Sequence, residues 1–336
     1  MSVKIAINGF GRVGRYITRL LAAEERDIEC VAINSRADSA TLAHLLTYDS
    51  VHGQFTLPVD HEEDALIVNG KKVAISRGAE DLSKLPWGKL DIDIVMETSG
   101  AFRDREASQK HIEAGAKKVI IGAPGKGVDG TFVMGVNHET YDTNKHHIIT
   151  NASCTTNCLA PVAKAIHSDY DILRGLMTTV HSYTMDQRLL DGSHKDLRRA
   201  RAAAMSMVPT TTGAARAVTV VIPELEGRLD GLSMRVPTPN VSLVDLTCEL
   251  GRETTVEEVN ATLKAASENS LKGILQYSEI PLVSIDYTSS PYSAILDAPL
   301  TNMIGGTMLK VMAWYDNESG FSNRMVDLAY YIGSQL

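Results

Sequence analysis

Cys154 and His181 have the residue types needed for covalent catalysis. Cys154 lies in ASCTTNCLAP, between the strand-like run HHIIT and the helical pattern LAPVAKAIH. A cysteine at the start of a helix gains thiolate character from the helix dipole and from free N–H groups. His181 lies in the strand-like run TTVHSYT. Alone, it could be an ordinary hydrogen-bonded core histidine, but beside such a cysteine it predicts a Cys–His nucleophile and base.

The other cysteines indicate simpler roles. Cys30 and Cys248 lie in apolar strand-like runs, which predicts packing in the core. Cys154 and Cys158 could form half of a metal site, but no second cysteine pair or His-x-x-His lies nearby, so we expect no metal. Four cysteines in 336 residues are too few for a disulfide scaffold.

A glycine-rich segment predicts a dinucleotide site. Gly9, Gly11 and Gly14 form G-x-G-x-x-G directly after the strand-like run VKIAIN and before a helix predicted over 13–25. The first glycine permits a tight turn, the second lets the backbone approach a pyrophosphate, and the third allows close packing of helix on strand. The helix start near Arg12 offers N–H groups and a positive dipole end to the phosphates.

The end of the second predicted strand bears on the choice of cofactor. NAD-binding proteins usually carry an acidic residue there, about 20 residues after the loop, for the ribose hydroxyls. This chain reads CVAINSRADS, with Ser35 and Arg36 at that place and Asp38 displaced by a turn. A hydroxyl and a guanidinium bind a 2′-phosphate, which a carboxylate would repel. These residues favour NADP.

The predicted pattern of strands and helices that position these residues differs between the first and second parts of the chain. The first 150 residues alternate strand-like runs with helical patterns, which predicts βαβ units around a parallel sheet. After Pro161 longer alternating runs predict a mixed or antiparallel sheet. The last stretch has helical spacing and could return to the first domain, with one apolar face formed by Met325, Leu328, Ala329 and Ile332.

Charge and hydropathy exclude other classes of protein. The net charge of −8 and the pI near 5.7 argue against general affinity for nucleic acid, although HKDLRRARAAA is a local basic cluster. No apolar run of about 18 residues predicts a membrane span. An apolar strand-like run follows Met1 too closely for a signal peptide, so we expect a cytoplasmic protein.

Several separate segments together resemble the phosphorylating glyceraldehyde-3-phosphate dehydrogenases. They are GFGRVGR, ASCTTNCLAP, HSYT, HKDLRRARAAA, PTTTGAA, RVPTPNVS and WYDNESGFSNR. The resemblance runs from about Val3 to the C-terminal helix. It implies an α/β fold with a Rossmann dinucleotide-binding domain over 1–150 and an α+β catalytic domain with a mixed or antiparallel sheet over 151–317. It also implies a helix over 318–336 that returns to the first domain, and a homotetramer.

The resemblance implies a reaction as well. D-glyceraldehyde 3-phosphate would be oxidised and phosphorylated to 1,3-bisphosphoglycerate, with reduction of NADP or NAD. Carried over by motif, Cys154 is the nucleophile, which forms a thiohemiacetal and then a thioester. His181 is the base, and it hydrogen-bonds the oxyanion and takes its proton as hydride leaves. Inorganic phosphate then attacks the thioester.

The same resemblance implies roles for the residues that bind substrate, phosphate and cofactor. Thr184 and Arg235 would hold the C3-phosphate, and Arg199 would serve the anion pockets from a basic loop that lines the cofactor site. The attacking phosphate would be bound by Ser153, Thr155, Thr212 and Gly213. The cofactor would be bound by Gly9, Gly11 and Gly14, by Asn317 at the nicotinamide carboxamide, and by Arg12 and Val13 under the pyrophosphate. Gly122 in IGAPGK departs from the common family residue, and we also predict it as a cofactor-binding residue.

The chain departs from the NAD-using members of the family at the cofactor. Those members carry Asp where Ser35 stands, and Leu-Pro where this chain has Gly192 and Ser193. Arg77 in ISRGAED matches a family arginine near the adenosine ribose. Together with Arg36, these residues favour the 2′-phosphate of NADP, with Ser193 reaching a cofactor in a neighbouring subunit.

Three alternatives remain open from the sequence. The first is a related enzyme that uses erythrose 4-phosphate, although intact PTTTGAA and Thr184 favour the triose phosphate. The second is an RNA-binding or regulatory protein on the same fold, acting through the basic cluster. Because the catalytic positions are intact, we expect this at most as a side role. The third is a redox sensor based on oxidation of Cys154.

Overall fold

The computed structural model describes residues 2–78 and 81–336. These residues divide into two compact units. Unit 1 comprises the described residues up to Ser153 together with Ser322–Leu336, and unit 2 comprises Cys154–Phe321. Within the described ranges, no helix is both long and apolar enough to span a bilayer.

Unit 1 is built on one sheet, which has nine strands among the described residues. In chain order the strands are β1 (Val3–Asn8), β2 (Ile28–Asn34), β3 (Val59–Glu62), β4 (Ala65–Val68), β5 (Lys71–Ser76), β6 (Ile94–Glu97), β7 (Lys118–Ile121), β8 (Gly130–Thr131) and β9 (Ile148–Thr150). The helices are α1 (Arg12–Ala23), α2 (Ser39–Thr47) and α3 (Arg105–Glu113), with short 3₁₀ helices at Leu82–Lys84 and His138–Thr140.

The sheet of unit 1 has the order β3-β4-β5-β2-β1-β6-β7-β9-β8. All neighbours from β5 to β8 are parallel, and β3, β4 and β5 form an antiparallel edge. β6 and β7 are buried along their whole length, as expected when helices cover both faces. Asn8 is in register with Asn34 and with Glu97, so three carboxyl ends align next to the glycine segment. Parallel α/β sheets bind ligands at such ends.

Unit 2 is built on a second, mixed sheet. Its strands are β10 (Ile172–Ser182), β11 (Val208–Thr211), β12 (Leu229–Val236), β13 (Ser242–Leu250), β14 (Leu275–Ser278), β15 (Ala294–Asp297), β16 (Asn302–Ile304) and β17 (Met308–Tyr315). The helices are α4 (Cys154–Tyr170), α5 (Ala214–Val221) and α6 (Val256–Glu268), with 3₁₀ helices at Ala203–Met205, Pro223–Leu225, Ser284–Tyr287 and Ala298–Leu300.

The second sheet has the order β11-β12-β10-β13-β17-β15-β14, with β16 paired to β17. The pairs β10–β12 and β14–β15 are parallel, and the other pairs are antiparallel. Met177, Thr179 and His181 alternate along β10 and are all buried, so they share the inner face of that strand. The predicted α/β class with a mixed second sheet is confirmed.

The last helix, α7 (Ser319–Gly333), carries the chain back into unit 1. The four residues of its predicted apolar face, Met325, Leu328, Ala329 and Ile332, are all at most 1% exposed. Asp327 accepts a hydrogen bond from Arg26 at 3.0 Å, and the Arg26 guanidinium lies 4.9 Å from the Tyr330 ring centroid. Gly333 packs so closely on Val3 of β1 that an added Cβ would lie 2.5 Å from its methyl groups.

Candidate active site

The nucleophile and the base predicted from the sequence meet in unit 2. Cys154 is the first residue of α4, and His181 lies on the buried face of β10. The distance from Cys154 Sγ to His181 Nε2 is 3.6 Å, within hydrogen-bond reach for a sulfur atom. The helix start and the strand therefore bring together two side chains that lie 27 residues apart.

Burial shifts the pKa values of both members of this pair. Burial raises the pKa of the Cys154 thiol, and the Arg235 charge and the hydrogen bonds involving Thr155 oppose this only in part. Burial, together with the charge of Arg235, lowers the pKa of His181 to about 3. Burial therefore opposes the charged form of both side chains. The thiolate character expected at a helix start is outweighed by desolvation, which the sequence does not reveal.

A buried tyrosine joins the two elements that carry the pair. The hydroxyl of Tyr315, from β17, lies 2.8 Å from Thr155 Oγ1 and 2.9 Å from Thr179 Oγ1. Thr155 follows the nucleophile on α4, and Thr179 precedes the base by two positions on β10. The Tyr315 ring also packs edge-on to His181, with centroids 5.9 Å apart. Tyr315 was not predicted as a site residue.

Arg235 lies against the base. It is the register partner of His181 across the parallel pair β10–β12. Its Nη1 is 2.8 Å from His181 Nδ1 and 3.0 Å from the carbonyl oxygen of Ser182. Its Nε is buried and has no hydrogen-bond partner within the described chain. A guanidinium with an unsatisfied buried donor is suited to an anion.

Thr184 and Arg199 meet at one carboxylate. Both donate to Asp186, Thr184 through Oγ1 and Arg199 through Nη1. Arg199 also donates from Nε to Thr210 Oγ1 at 2.9 Å. Burial opposes the charge on Asp186, but the bond from Thr184 and the charges of Arg235 and Arg199 lower its pKa. Asp186 therefore orders two of the predicted anion-binding side chains, and sequence analysis missed it.

The segment PTTTGAA leads into the start of α5. Thr212 Oγ1 accepts from the backbone N–H of Ala214 at 3.1 Å, and Gly213 is the N-cap residue. This helix start presents backbone N–H groups that an anion can use. Ser153 precedes Cys154 directly in the chain and is the last residue of the first segment of unit 1.

Asn317 is held in one orientation by two serines. Its Oδ1 accepts from Ser182 Oγ at 2.8 Å and from Ser242 Oγ at 3.0 Å. Because a carbonyl oxygen has two lone pairs, these bonds saturate Oδ1 and identify Nδ2 as the donor end. Ser182 and Ser242 were not predicted as site residues. Only the pairing of β10 with β13 brings them together, and local sequence does not indicate that pairing.

In unit 1, the glycine segment fits a dinucleotide pyrophosphate. Gly9 has a φ of +94°, and a Cβ there would lie 2.5 Å from the backbone of Ser99. At Gly14 a Cβ would lie 2.3 Å from the carbonyl oxygen of Gly9. At Gly11 it would meet no atom within 4 Å, so the backbone is open on that side. Gly11 caps α1 without a side chain, so the first-turn N–H groups require acceptors from outside the helix.

Arg12 and Val13 are the first residues of α1, and Arg12 forms a two-point ion pair. Its Nη2 donates to Asp49 Oδ1 at 3.0 Å, and its Nη1 donates to Asp49 Oδ2. Burial alone would raise the pKa of Asp49, but the bonds from Arg12 and from the N–H groups of His52 and Val51 hold it well below its usual value. Asp49 therefore fixes the Arg12 side chain beside the glycine segment.

Comparison with known proteins identifies the family. Residues 3–105 match the family described as "Glyceraldehyde 3-phosphate dehydrogenase, NAD binding domain", and residues 153–317 match "Glyceraldehyde 3-phosphate dehydrogenase, C-terminal domain". A glyceraldehyde-3-phosphate dehydrogenase of Geobacillus stearothermophilus is 60% identical over 335 residues, covering 100% of this chain and 99% of that protein. The chain belongs to the glyceraldehyde-3-phosphate dehydrogenase family.

Further relatives agree with this assignment. Glyceraldehyde-3-phosphate dehydrogenase 1 of Bacillus subtilis (strain 168) is 56% identical over 335 residues, which are 100% of this chain and 99% of that protein. Glyceraldehyde-3-phosphate dehydrogenase 2 of Trichormus variabilis is 54% identical over 337 residues, 99% of each chain. The resemblance predicted from the motifs is confirmed, and the chain is an oxidoreductase that uses a nicotinamide dinucleotide. The erythrose 4-phosphate and RNA-binding alternatives are not favoured.

In this dehydrogenase the segment after β2, where the sequence predicts the ribose end of the cofactor site, begins with Ser35 and Arg36. Ser35 follows β2, and its N–H donates to Ser76 O at 3.0 Å. Arg36 is exposed and forms no ion pair within the described residues. Asp38, the displaced acid, is occupied instead as the N-cap of α2, where it accepts from Thr41 N and Oγ1, both at 2.8 Å.

Two further predicted cofactor residues of this dehydrogenase have structural partners. Arg77 donates through Nη1 to Asp64 and through Nη2 to Glu63 O at 2.9 Å, so it is held within the edge hairpin. Gly122 follows β7, and its N–H donates to Glu97 O at 2.9 Å. A Cβ at Gly122 would lie 3.3 Å from that oxygen, which favours glycine there.

Two cations of the basic loop of this dehydrogenase form ion pairs with nearby acids. Besides the Arg199–Asp186 pair, Arg201 Nε donates to Asp191 Oδ2 at 2.9 Å. Ser193 is exposed on this loop, and its carbonyl oxygen accepts from Arg188 Nε at 2.9 Å. No group of three or more metal-ligating side chains occurs in the part of the chain that the structure describes.

Proposed function

We propose that this enzyme oxidises D-glyceraldehyde 3-phosphate and, with inorganic phosphate, forms 1,3-bisphosphoglycerate. Unit 1 binds the dinucleotide, and unit 2 carries the chemistry. The observation that carries the proposal is the 3.6 Å contact between Cys154 Sγ and His181 Nε2, with cationic and hydroxyl groups around it.

The reaction follows from the chemistry of these groups. His181 Nε2 takes the thiol proton while Cys154 Sγ adds to the aldehyde carbon, which gives a thiohemiacetal. The imidazolium donates this proton to the substrate oxygen, which completes the hydroxyl of the thiohemiacetal, and the neutral His181 takes the proton back when the carbon is oxidised. The bound dinucleotide supplies the acceptor for the hydride. The resulting thioester is attacked by phosphate, which releases the acyl phosphate and restores the thiol.

Two anion sites serve the two phosphate groups. Thr184 and Arg235, whose Nε has no hydrogen-bond partner among the described residues, hold the C3-phosphate of the substrate. Arg199 with Ser153, Thr155, Thr212 and Gly213 binds the attacking phosphate. Asp186 restrains Thr184 and Arg199 together, so it couples the geometry of the two sites. Asn317 donates from Nδ2 to the nicotinamide carboxamide.

The residues predicted to lie near the adenosine ribose of the cofactor favour NADP. Ser35 offers a hydroxyl, and Arg36, which forms no ion pair with the described residues, offers a cation, whereas Asp38 is occupied as a helix cap. Arg77 contributes when its bond to Asp64 is exchanged for the 2′-phosphate, and exposed Ser193 contributes from a neighbouring subunit. Use of NADP suits the reductive, gluconeogenic direction as well as glycolysis.

The protein acts as a homotetramer in the cytoplasm. Large apolar side chains are exposed along the basic loop and its flanks, including Leu189, Leu197, Met205 and Met207, which are 73–81% exposed. Such a patch is typical of a protein interface. All four cysteines are free thiols, which suits a reducing compartment. Sedimentation velocity will report the mass of the assembly.

The decisive assay measures kcat/KM for D-glyceraldehyde 3-phosphate plus phosphate, with NAD and with NADP. Cys154→Ala serves as the inactive control, and D-erythrose 4-phosphate as the competing substrate. We expect NADP to match or exceed NAD. If NAD is preferred by about 100-fold, about 2.7 kcal/mol at the transition state, the assignment of Ser35, Arg77 and Ser193 to a phosphate is wrong.

A further inference from the structure

Glu97 is a buried carboxylate beside the glycine segment of unit 1. It is the last residue of β6, it is 1% exposed, and it is in register with Asn8 of β1. Burial destabilises an ionised carboxylate unless its oxygens accept a full set of hydrogen bonds. The structure supplies four such bonds to Glu97, two to each oxygen.

The two oxygens of Glu97 bond to residues on different sides of the glycine segment. Oε1 accepts from Ser99 N at 2.8 Å and from Ser99 Oγ at 2.5 Å. Oε2 accepts from Asn8 Nδ2 and lies 3.2 Å from His111 Nε2. Asn8 precedes Gly9 in the chain, and a Cβ on Gly9 would lie only 2.5 Å from the backbone of Ser99. One carboxylate therefore holds two close neighbours of Gly9.

A tryptophan determines which nitrogen of His111 carries the proton. Trp87 Nε1, which can only donate, bonds His111 Nδ1 at 3.1 Å, and both side chains are 0% exposed. Nδ1 therefore lacks a proton, so the ring is neutral and its one N–H is at Nε2. That N–H donates to Glu97. The four donors to Glu97 are therefore all neutral groups, whose bonds are directional.

The carboxylate also sets the direction of the hydrogen bonds that lead to β2. Because Glu97 only accepts, Asn8 must turn Nδ2 towards it, which leaves Asn8 Oδ1 to accept from Asn34 Nδ2 at 2.7 Å. The carbonyl oxygen of Asn34 accepts from Gly9 N at 3.0 Å. Gly9 has a φ of +94° and lies between β1 and α1. Asn8, Asn34 and Ser99 thus hold this glycine, and each is bonded to Glu97 directly or through one partner.

We infer that Glu97 is a positioning residue for the dinucleotide, which holds the glycine segment in the shape that receives the pyrophosphate. The first-turn N–H groups of α1 follow this segment, so a shift of Gly9 moves the donors that the phosphates require. The inference rests on the proposed binding of the pyrophosphate at this segment. Because NAD and NADP share the pyrophosphate, Glu97 affects both cofactors alike.

A purely electrostatic role for Glu97 predicts the opposite sign. A negative charge near the pyrophosphate repels it, so removal of that charge by Glu97→Gln would tighten binding. Positioning predicts weaker binding, because the amide N–H group of the variant would face two donors, Asn8 Nδ2 and His111 Nε2. The direction of the change in affinity therefore separates the two explanations.

The test measures the Kd of NAD and of NADP by titration calorimetry on the full-length enzyme, with Glu97→Gln beside the wild type. We expect both Kd values to rise about tenfold, the effect of losing one hydrogen bond to a charged group. In the oxidation assay the KM for the dinucleotide should rise equally, while kcat at saturating dinucleotide stays within about twofold. An unchanged or lower Kd, or a loss confined to one cofactor, overturns the inference. Because calorimetry requires no turnover, failure of the proposed oxidation would be seen separately.

A charge swap distinguishes positioning from a general loss of stability. In Asn8→Asp/Glu97→Gln the carboxylate moves to position 8, where it can accept from the amide at position 97 and from Asn34 Nδ2. The bond between the two strands is then kept with its direction reversed. We expect the double variant to bind NAD more tightly than either single variant. Additive losses of affinity contradict the inference.

Asp93 offers a matched control at the other end of the same strand. It directly precedes β6 and accepts from Lys4 N at 2.8 Å and from Lys117 Nζ at 2.7 Å. Asp93→Asn should lower Tm and leave both Kd values unchanged. If it weakens binding as much as Glu97→Gln does, the effect is a general one and the inference fails.

A second variant keeps the inference falsifiable if Glu97→Gln does not fold. Trp87→Phe removes the N–H group that fixes the proton of His111 on Nε2, and it leaves an aromatic ring in the core. The Kd for both dinucleotides should rise about threefold, the effect of losing a weak neutral hydrogen bond. An unchanged Kd in the folded Trp87→Phe enzyme overturns the inference.

Discussion

Replacing Tyr315 with phenylalanine tests whether its hydroxyl sets the distance between nucleophile and base. The hydroxyl bonds Thr155 on α4 at 2.8 Å and Thr179 on β10 at 2.9 Å, and it is fully buried. Burial raises the pKa of Tyr315 well above its usual value, so the phenol stays neutral and can donate one bond and accept the other. The substitution removes both bonds with little change in volume.

The expected cost follows from these two bonds. Each buried hydrogen bond contributes about 1 kcal/mol, so Tyr315→Phe should lower the free energy of unfolding by about 2 kcal/mol. The two threonine hydroxyls would then relax, and the helix and the strand could shift against each other. A displacement of about 1 Å between reacting groups can reduce the rate by about 100-fold. We expect kcat to fall by about 10- to 100-fold, with little change in the KM for the dinucleotide.

The assay compares the variant with Tyr170→Phe at the far end of α4. Tyr170 is also buried, and its hydroxyl bonds Thr262 at 2.9 Å, away from the site. That control should lose about 1 kcal/mol of stability and keep its kcat. Stability is measured by urea unfolding at equal protein concentration, and kcat at saturating substrates. A Tyr315→Phe enzyme with wild-type kcat would refute a positioning role for the hydroxyl.

Further substitutions test the cofactor site and the base. Ser35→Asp should reduce kcat/KM for NADP by about 100-fold and spare NAD, by charge repulsion; equal effects on both cofactors would contradict the 2′-phosphate assignment. Gly11→Ala should weaken dinucleotide binding in titration calorimetry without lowering Tm, because its Cβ meets no protein atom, whereas Gly9→Ala should lower both. His181 has a pKa of about 3 in the folded protein, against the usual 6.5. As the pH falls below 6.5, the unfolded chain therefore binds a proton at this imidazole while the folded protein does not. Unfolding at pH 6.5 and pH 5 should therefore show a loss of about 2 kcal/mol in the wild type that is absent in His181→Asn, and equal losses would refute this.

Local patterns allowed much of the fold to be predicted. The strand before the glycine segment and the apolar face of α7 follow from periodicity, and helix α1 begins one residue before the predicted start. The edge hairpin of β3 and β4, which joins β5, was missed. β3 is exposed along most of its length and gives little apolar alternation. Helices α2, α5 and α6 were also not predicted.

Site residues could be predicted only where they lie within a recognisable local sequence motif. Cys154 and His181 were predicted from their local sequence segments. Tyr315 lies 160 residues from Thr155, so no local segment of the sequence could predict their contact. The contact of Arg235 with His181 depends on the register of two strands that are not consecutive in the chain. The burial that shifts the pKa values of Cys154 and His181 arises only after packing.

The route of the chain has a consequence for the order of synthesis. Unit 1 is made from two separate segments, and unit 2 is one continuous segment between them. A ribosome therefore completes the whole of unit 2 before it makes the part of α7 that packs on Val3 and Arg26. Nascent domains generally fold in order from the N-terminus. Here the dinucleotide-binding unit, whose first strand emerges earliest, is the last to acquire all its contacts.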